Sequence, residues 1–285
     1  MRLKKTLNLL LNSISLKHLL FTFFLFFIFF AKSGTIDTVT IQSNTLKKET
    51  KILVISPTNS ANKKESYPVV YLLHGYGGDY KQWNDVAPQL QYQADLHKII
   101  FVCPDGGKGS WYFDSPIDST IRYESYITKE LVPYIDLHFS TQEKASSRAI
   151  TGLSMGGHGA MYLAIRHGDL FGAAGSSSGG VDFTPFPKKW DISKALGDYL
   201  LNKERWQQNT VLYQVNTLKN DQLAIIIDCG VDDFFIDVNR SLHQRLLELK
   251  INHEYTERPG GHTSTYWKEN IDFQILFFKK FFSKS

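Results

Sequence analysis

The chain has 285 residues, too many for one small module and few enough for a single large α/β domain. Hydrophobic residues make up 42% and charged residues 21%, an ordinary globular composition. The net charge of +4 belongs to the N-terminus: residues 1–33 hold five of the 32 basic residues and none of the 28 acidic ones, which leaves −1 for the rest and no electrostatic ground for a nucleic-acid partner.

The first element in chain order is a leader. Arg2, Lys4, Lys5 and Lys17 precede a 13-residue run, Leu19 to Ala31, apolar but for Thr22, and Ala31 and Ser33 then put small residues at the −3 and −1 positions of a cut after Ser33. A basic start, a short apolar core and a small-residue site read as a signal peptide over 1–33, leaving 34–285 as one domain. A spanning helix needs about 20 apolar residues. The alternative is an uncleaved N-terminal anchor, with Leu7 to Leu11 lengthening the apolar stretch. The expectation is a secreted or periplasmic protein with no stable membrane insertion once the leader is removed.

Beyond the leader, strand-like and helix-like segments alternate. Thr38–Ser43 and Thr50–Ser56 read as an opening hairpin around a polar turn. Pro68–Leu73, Lys98–Cys103, Arg148–Gly152, Phe171–Ser176, Leu223–Asp228 and His253–Arg258 are short, largely apolar runs of strand length. Helical spacing marks Tyr123–His138, the stretch to His167, Ile192–Leu201, Trp206–Leu218, Val238–Leu249 and Tyr266–Phe282. Pro133 lies inside the first of these and should kink or divide it. The pattern is two strands followed by repeated β-loop-α units. It predicts an α/β fold, a mainly parallel eight-stranded sheet with helices on both faces. Cys103 and Cys229 each end an apolar run, where two buried free thiols are the expectation, although export would permit a bond between them.

The chemistry-bearing pattern is Gly152-Leu153-Ser154-Met155-Gly156. Alone, G-x-S-x-G marks many a glycine-rich turn with an N-cap serine. Here a strand precedes it and a helix follows, which is the setting of a nucleophile held on a sharp strand-to-helix turn. The flanking positions must be small because that turn is crowded. A serine needs a base within hydrogen-bond reach, and the base needs an orienting acid. Two later strand ends offer them in the order Ser, Asp, His. Asp233 follows the strand ending at Asp228, with Asp232 as competitor, since pattern alone does not separate adjacent carboxylates. His262 follows the last strand after Gly260-Gly261. A tetrahedral oxyanion also needs backbone donors. Met155 is one candidate, and Tyr76 in His74-Gly75-Tyr76-Gly77-Gly78 is the other. His74 and His158 read as bracing and packing residues, and Asp228 as structural. No cofactor is implied, and no His/Asp/Glu cluster has metal-ligand spacing.

Taken jointly, Tyr71-Leu72-Leu73-His74-Gly75-x-Gly77-Gly78, Trp83, Gly152-Leu153-Ser154-Met155-Gly156-Gly157, Gly230-x-x-Asp233 and Gly261-His262 resemble the esterase D-type putative esterase family. That group includes tributyrin esterases, S-formylglutathione hydrolases, feruloyl and acetylxylan esterases and mycolyltransferases. The likeness runs from about Thr38 to the final helix. It implies the α/β-hydrolase fold, a catalytic set of Ser154, Asp233 and His262, and amide donors at Tyr76 and Met155. Ser110-Trp111-Tyr112 and the segment 180–215 resemble the short-chain, tributyrin-type esterases, and Trp111, Tyr112 and residues of 180–215 are expected to line the substrate cleft. The implied reaction is hydrolysis of a short-chain or carbohydrate-linked ester through an acyl-enzyme. A sugar- or lipid-accepting acyltransferase and a glutathione-thioester hydrolase use the same residues, the latter fitting a leader poorly.

Overall fold

The computed structural model describes residues 34–58, 60 and 65–284, so the leader expected over 1–33 and its expected cleavage position lie outside the described residues. Eight strands form one sheet: β1 (Thr35–Ser43), β2 (Lys48–Ser56), β3 (Val69–Leu73), β4 (Ile100–Pro104), β5 (Arg148–Gly152), β6 (Ala173–Ser177), β7 (Ala224–Gly230) and β8 (Glu254–Arg258). Their spatial order is β1-β2-β4-β3-β5-β6-β7-β8. β1 pairs antiparallel with β2, and β2 with β4; every later neighbour is parallel. The expected eight-stranded, mainly parallel sheet is what the chain forms.

The near-continuous apolar runs are explained by burial on both faces. In β3, Val69, Tyr71 and Leu73 join one core while Val70 and Leu72 join the other; Ile52/Val54 against Leu53/Ile55 repeats this in β2. On the second face lie α1 (Gln82–Val86), α2 (Leu90–His97) and the terminal α10 (Ser264–Phe282). On the first face lie the helices of residues 123–138, then α5 (Met155–Arg166), the short α6 (Ile192–Leu196), α7 (Lys203–Gln208) and α8 (Val211–Gln214), and α9 (Ile236–Glu248).

Several helices differ from the sequence expectation for local reasons. The 123–138 segment starts as α3 (Tyr123–Ser125), continues as a π-helical stretch, Tyr126–Leu131, and returns to α-helix in α4 (Val132–His138). Pro133 sits at the start of α4, where its missing N–H costs nothing, and the wider π turn absorbs the ring. The helix expected over 192–201 stops at Leu196 because Gly197 takes φ 82°. That over 206–218 breaks at Asn209, and Thr210 caps a new turn by accepting from the Tyr213 N–H. Both cysteines are buried and unbonded, and burial pushes both thiols far above their usual range. No described helix is long and apolar enough to cross a membrane.

Candidate active site

Parallel strands present their following loops along one sheet edge, and three of these loops converge. Ser154 directly follows β5 and opens α5. Its backbone is φ 56°, ψ −117°, a strained conformation for a residue with a side chain. The crowding foreseen from the glycines is literal. A Cβ on Gly152 would run into the Gly156 main chain, and one on Gly156 into the carbonyls of Leu73 and His74. The turn is pinned by Ser154 N–H donating to Ser177 C=O at 3.0 Å and Leu153 N–H to Leu73 C=O at 3.2 Å.

His262 reaches Ser154 across the edge, with Nε2 at 2.9 Å from Oγ. Its Nδ1 lies 2.8 and 3.0 Å from the two carboxylate oxygens of Asp233. A carboxylate only accepts, so Nδ1 carries the hydrogen and the Nε2 lone pair faces the serine hydroxyl. The Asp233 side chain is 0% exposed and that of His262 16%. Asp233 also accepts from the Phe235 N–H at 2.8 Å, which fixes its rotamer. The neighbouring Asp232 is exposed, and only its main chain is engaged, donating to Gly260 C=O at 2.9 Å. The geometry therefore separates the two carboxylates in favour of Asp233. Asp228 stays inside the fold, accepting from Ser177 and Gln274, away from this line.

The donors converge as well. Met155 is the first residue of α5, where backbone N–H groups lack helical partners and favour negative charge. Tyr76 lies in the loop after β3, which pairs with β4 on one side and with β5 on the other. Among the described residues no hydrogen-bond acceptor is found for either N–H. The Tyr76 amide plane is set from its other end. The Gly75 carbonyl receives His74 Nδ1–H at 2.8 Å and Gly78 N–H at 3.1 Å. His74 Nε2 in turn accepts from Gly106 N–H at 2.7 Å, and burial lowers its pKa, keeping it neutral and bracing. Trp83 completes the frame by donating its indole N–H to Leu73 C=O at 2.8 Å.

Trp111 and Tyr112 correct an expectation. Rather than lining an open cleft they are buried, 1% and 0% exposed. The Tyr112 hydroxyl donates to His74 C=O at 3.1 Å, and the Trp111 indole to Trp190 C=O at 3.1 Å. They support the site from beneath. His158 packs nearby between Trp111, Phe113 and Tyr162, and burial lowers its pKa to about 4. The aromatic surface beside the base comes from residues that no motif marks. The Phe234 ring lies 4.2 Å from the His262 ring and is 52% exposed, and Trp190 stacks on Phe234 at 5.8 Å. Phe234 follows the acid directly and could have been flagged by that adjacency; Trp190 lies in the aromatic segment 180–215 expected at the cleft, though nothing local singles it out within that segment.

This sheet order, strained serine turn and Ser–His–Asp line define an α/β-hydrolase. Comparison with known proteins narrows the class. The model of the family described as "Putative esterase" matches residues 43–278, and the chain belongs to that family. An acetyl esterase from Caldicellulosiruptor saccharolyticus is 28% identical over 252 residues, covering 82% of this chain and 94% of the relative. An esterase from Mycobacterium tuberculosis is 28% identical over 235 residues, 73% of this chain. The chain spans about half the length of that relative, 51%. A solved ferulic acid esterase superposes with TM-score 0.74 at 26% identity, over 87% of this chain and 99% of the other.

Proposed function

We propose that the protein is a serine carboxylesterase that hydrolyses short-chain or carbohydrate-linked esters through an acyl-enzyme. The observation that carries this reading is the continuous line from Asp233 through His262 to Ser154 Oγ, with links of 2.8 and 2.9 Å. In the first half-reaction His262 Nε2 takes the hydroxyl proton while Ser154 Oγ attacks the ester carbonyl. Asp233 stabilises the imidazolium, and the N–H groups of Tyr76 and Met155 receive the oxyanion. His262 then protonates the departing alcohol. Water, deprotonated by the same nitrogen, releases the acid and restores Ser154. The acetyl and ferulic acid esterases among its relatives support small or sugar-linked acyl esters as the substrate class.

Hydrolysis of p-nitrophenyl acetate and butyrate tests the reading. Ser154→Ala should lower kcat by about 10⁶-fold, the scale seen when such a nucleophile is removed. Equal turnover by the variant would remove Ser154 from the mechanism. The proposed export is tested separately, by N-terminal sequencing of the protein recovered from its natural source. A mature chain starting at Gly34 is expected, and an intact Met1 start would favour the anchored alternative.

A further inference from the structure

Two consecutive residue pairs near the site hold left-handed backbones without glycine: Trp111 (φ 53°) with Tyr112 (φ 61°), and Trp190 (φ 53°) with Asp191 (φ 58°). Bulky residues keep such conformations only where their surroundings over-determine them. The pairs restrain one another through the Trp111 indole and Trp190 C=O. The second pair is held from the opposite side. The Tyr76 hydroxyl donates to Asp191 Oδ2 at 2.8 Å, and Asp191 Oδ1 lies 3.1 Å from Lys194 Nζ.

That contact falls on the most permissive stretch of the oxyanion loop. Tyr76 has glycine on both sides, and Gly77 is at φ 79°. Its amide plane is aimed by the two donors on Gly75 C=O, the next peptide is tied by Gly77 N–H donating to Lys108 C=O at 2.7 Å, and the Tyr76 side chain adds a third anchor between these main-chain ties. The ring lies so close to Gly109 that a Cβ there would sit 2.8 Å from Cε2. Its hydroxyl reaches across to Asp191. First the Tyr76 hydroxyl and then Lys194 hold the Asp191 carboxyl below the usual range, so the acceptor stays ionised around neutrality.

We propose that Asp191 is a positioning residue for the esterase reaction: its carboxylate fixes the Tyr76 ring and thereby aims the Tyr76 N–H at the developing oxyanion. This rests on the serine esterase reading above. The same tip of chain touches the other half of the chemistry, because Trp190 stacks on Phe234, which covers the His262 ring. One segment, far from both motifs in sequence, therefore braces the oxyanion donor and shields the base.

The test uses the full chain with Tyr76→Phe, Asp191→Ala, Asp191→Asn and the Tyr76→Phe/Asp191→Ala pair. The readouts are kcat and KM on p-nitrophenyl butyrate, binding of a trifluoromethyl ketone that mimics the oxyanion, and the melting temperature of each variant. Tyr76→Phe and Asp191→Ala should each lower kcat about ten-fold or more, as expected when a reacting group is misaimed. KM should stay within about two-fold. Ketone binding should weaken by the same factor as kcat. The pair should be no worse than either single change, because both cut one link. Asp191→Asn keeps an acceptor and should restore most of kcat. Parental kcat in Tyr76→Phe, losses confined to KM, or effects that multiply in the pair would each overturn the proposal. So would a lowered melting temperature with unchanged kcat. Ser154→Ala run alongside separates the two readings. If it is inactive while Tyr76→Phe is unimpaired, only the positioning role fails; if it is fully active, the esterase reading fails.

Discussion

Among the described residues two carboxylate–histidine pairs have the same length, and one of them has the surroundings that the proposed mechanism asks of a base. Asp233 and His262 meet at 2.8 Å, as do Glu124 and His167. Glu124 also lines a polar cavity of about 740 Å³. The difference lies in what surrounds each pair. Glu124 also takes Arg166 Nε at 2.8 Å and the Tyr162 hydroxyl at 3.3 Å. Burial alone would raise its pKa, but the hydrogen bonds from His167 and Arg166 outweigh it and hold the carboxyl low. That carboxylate is taken up by His167, Arg166 and Tyr162 together, and among the described residues no hydroxyl is hydrogen-bonded to the other ring nitrogen of His167. Asp233, in contrast, is paired with His262, whose second nitrogen faces a serine on a strained turn. A carboxylate–histidine pair becomes a base only when its outer nitrogen is left something to deprotonate.

Substitutions can widen or collapse this contrast. The largest effect is expected at Asp233→Asn, which removes the acceptor that fixes the His262 tautomer. kcat should fall about 10⁴-fold, as in comparable triads, whereas Glu124→Gln should leave kcat within a few-fold on the same ester. A comparable loss in both would erase the distinction between the pairs.

The next effect concerns Asp228, the buried carboxylate behind the site. Burial pushes its pKa from the ordinary 3.8 up to about 6, against the hydrogen bonds from Gln274 and Ser177. The fold thus binds this proton more tightly than the unfolded chain does. Unfolding free energy should fall as pH rises from about 4 to about 6, with a total cost of about 3 kcal/mol above that window. Asp228→Asn should abolish that slope, because the Ser177 hydroxyl can turn to accept from the new amide. Urea unfolding at pH 4 and pH 7 checks this, and an unchanged slope in the variant would assign the dependence to other groups.

Smaller again is Glu124→Ala. It strands Arg166 and His167 without their acceptor and should cost about 1–3 kcal/mol of stability while kcat holds. The smallest effect is expected from Asp232→Asn, whose side chain is exposed: turnover within about two-fold of the parent, consistent with the near neutrality of surface changes. A large loss there would reopen the choice of acid.

Legibility from sequence followed the range of the contacts. Ser154, Asp233 and His262 each follow a strand after a glycine-bearing turn, so three local patterns in chain order were enough to find them. The burial of the central strands on both faces follows from the same apolar runs, whereas the placing of β4 between β2 and β3 is set by tertiary pairing. The helices of 82–97 carried too few periodic positions to stand out: in α1 Trp83 is the buried residue, and in α2 Leu90 and Ala94. Trp111 and Tyr112 were expected in the cleft on the strength of the resemblance carried by Ser110-Trp111-Tyr112. Their left-handed backbones, which turn them inward, are set by tertiary hydrogen bonds that no local pattern encodes. The Tyr76–Asp191 contact spans 115 residues and is invisible for the same reason.

The bare Gly156 carries a wider meaning. Because the first turn of α5 rests on the main chain of Leu73 and His74 with no side chain between, the height of the nucleophile above the sheet is a main-chain dimension. Side chains deeper in the cores can be exchanged, enlarged or trimmed over generations without moving that reference point. Relatives that share little more than a quarter of their residues with this chain can therefore drift far in composition and still inherit the same register of attack.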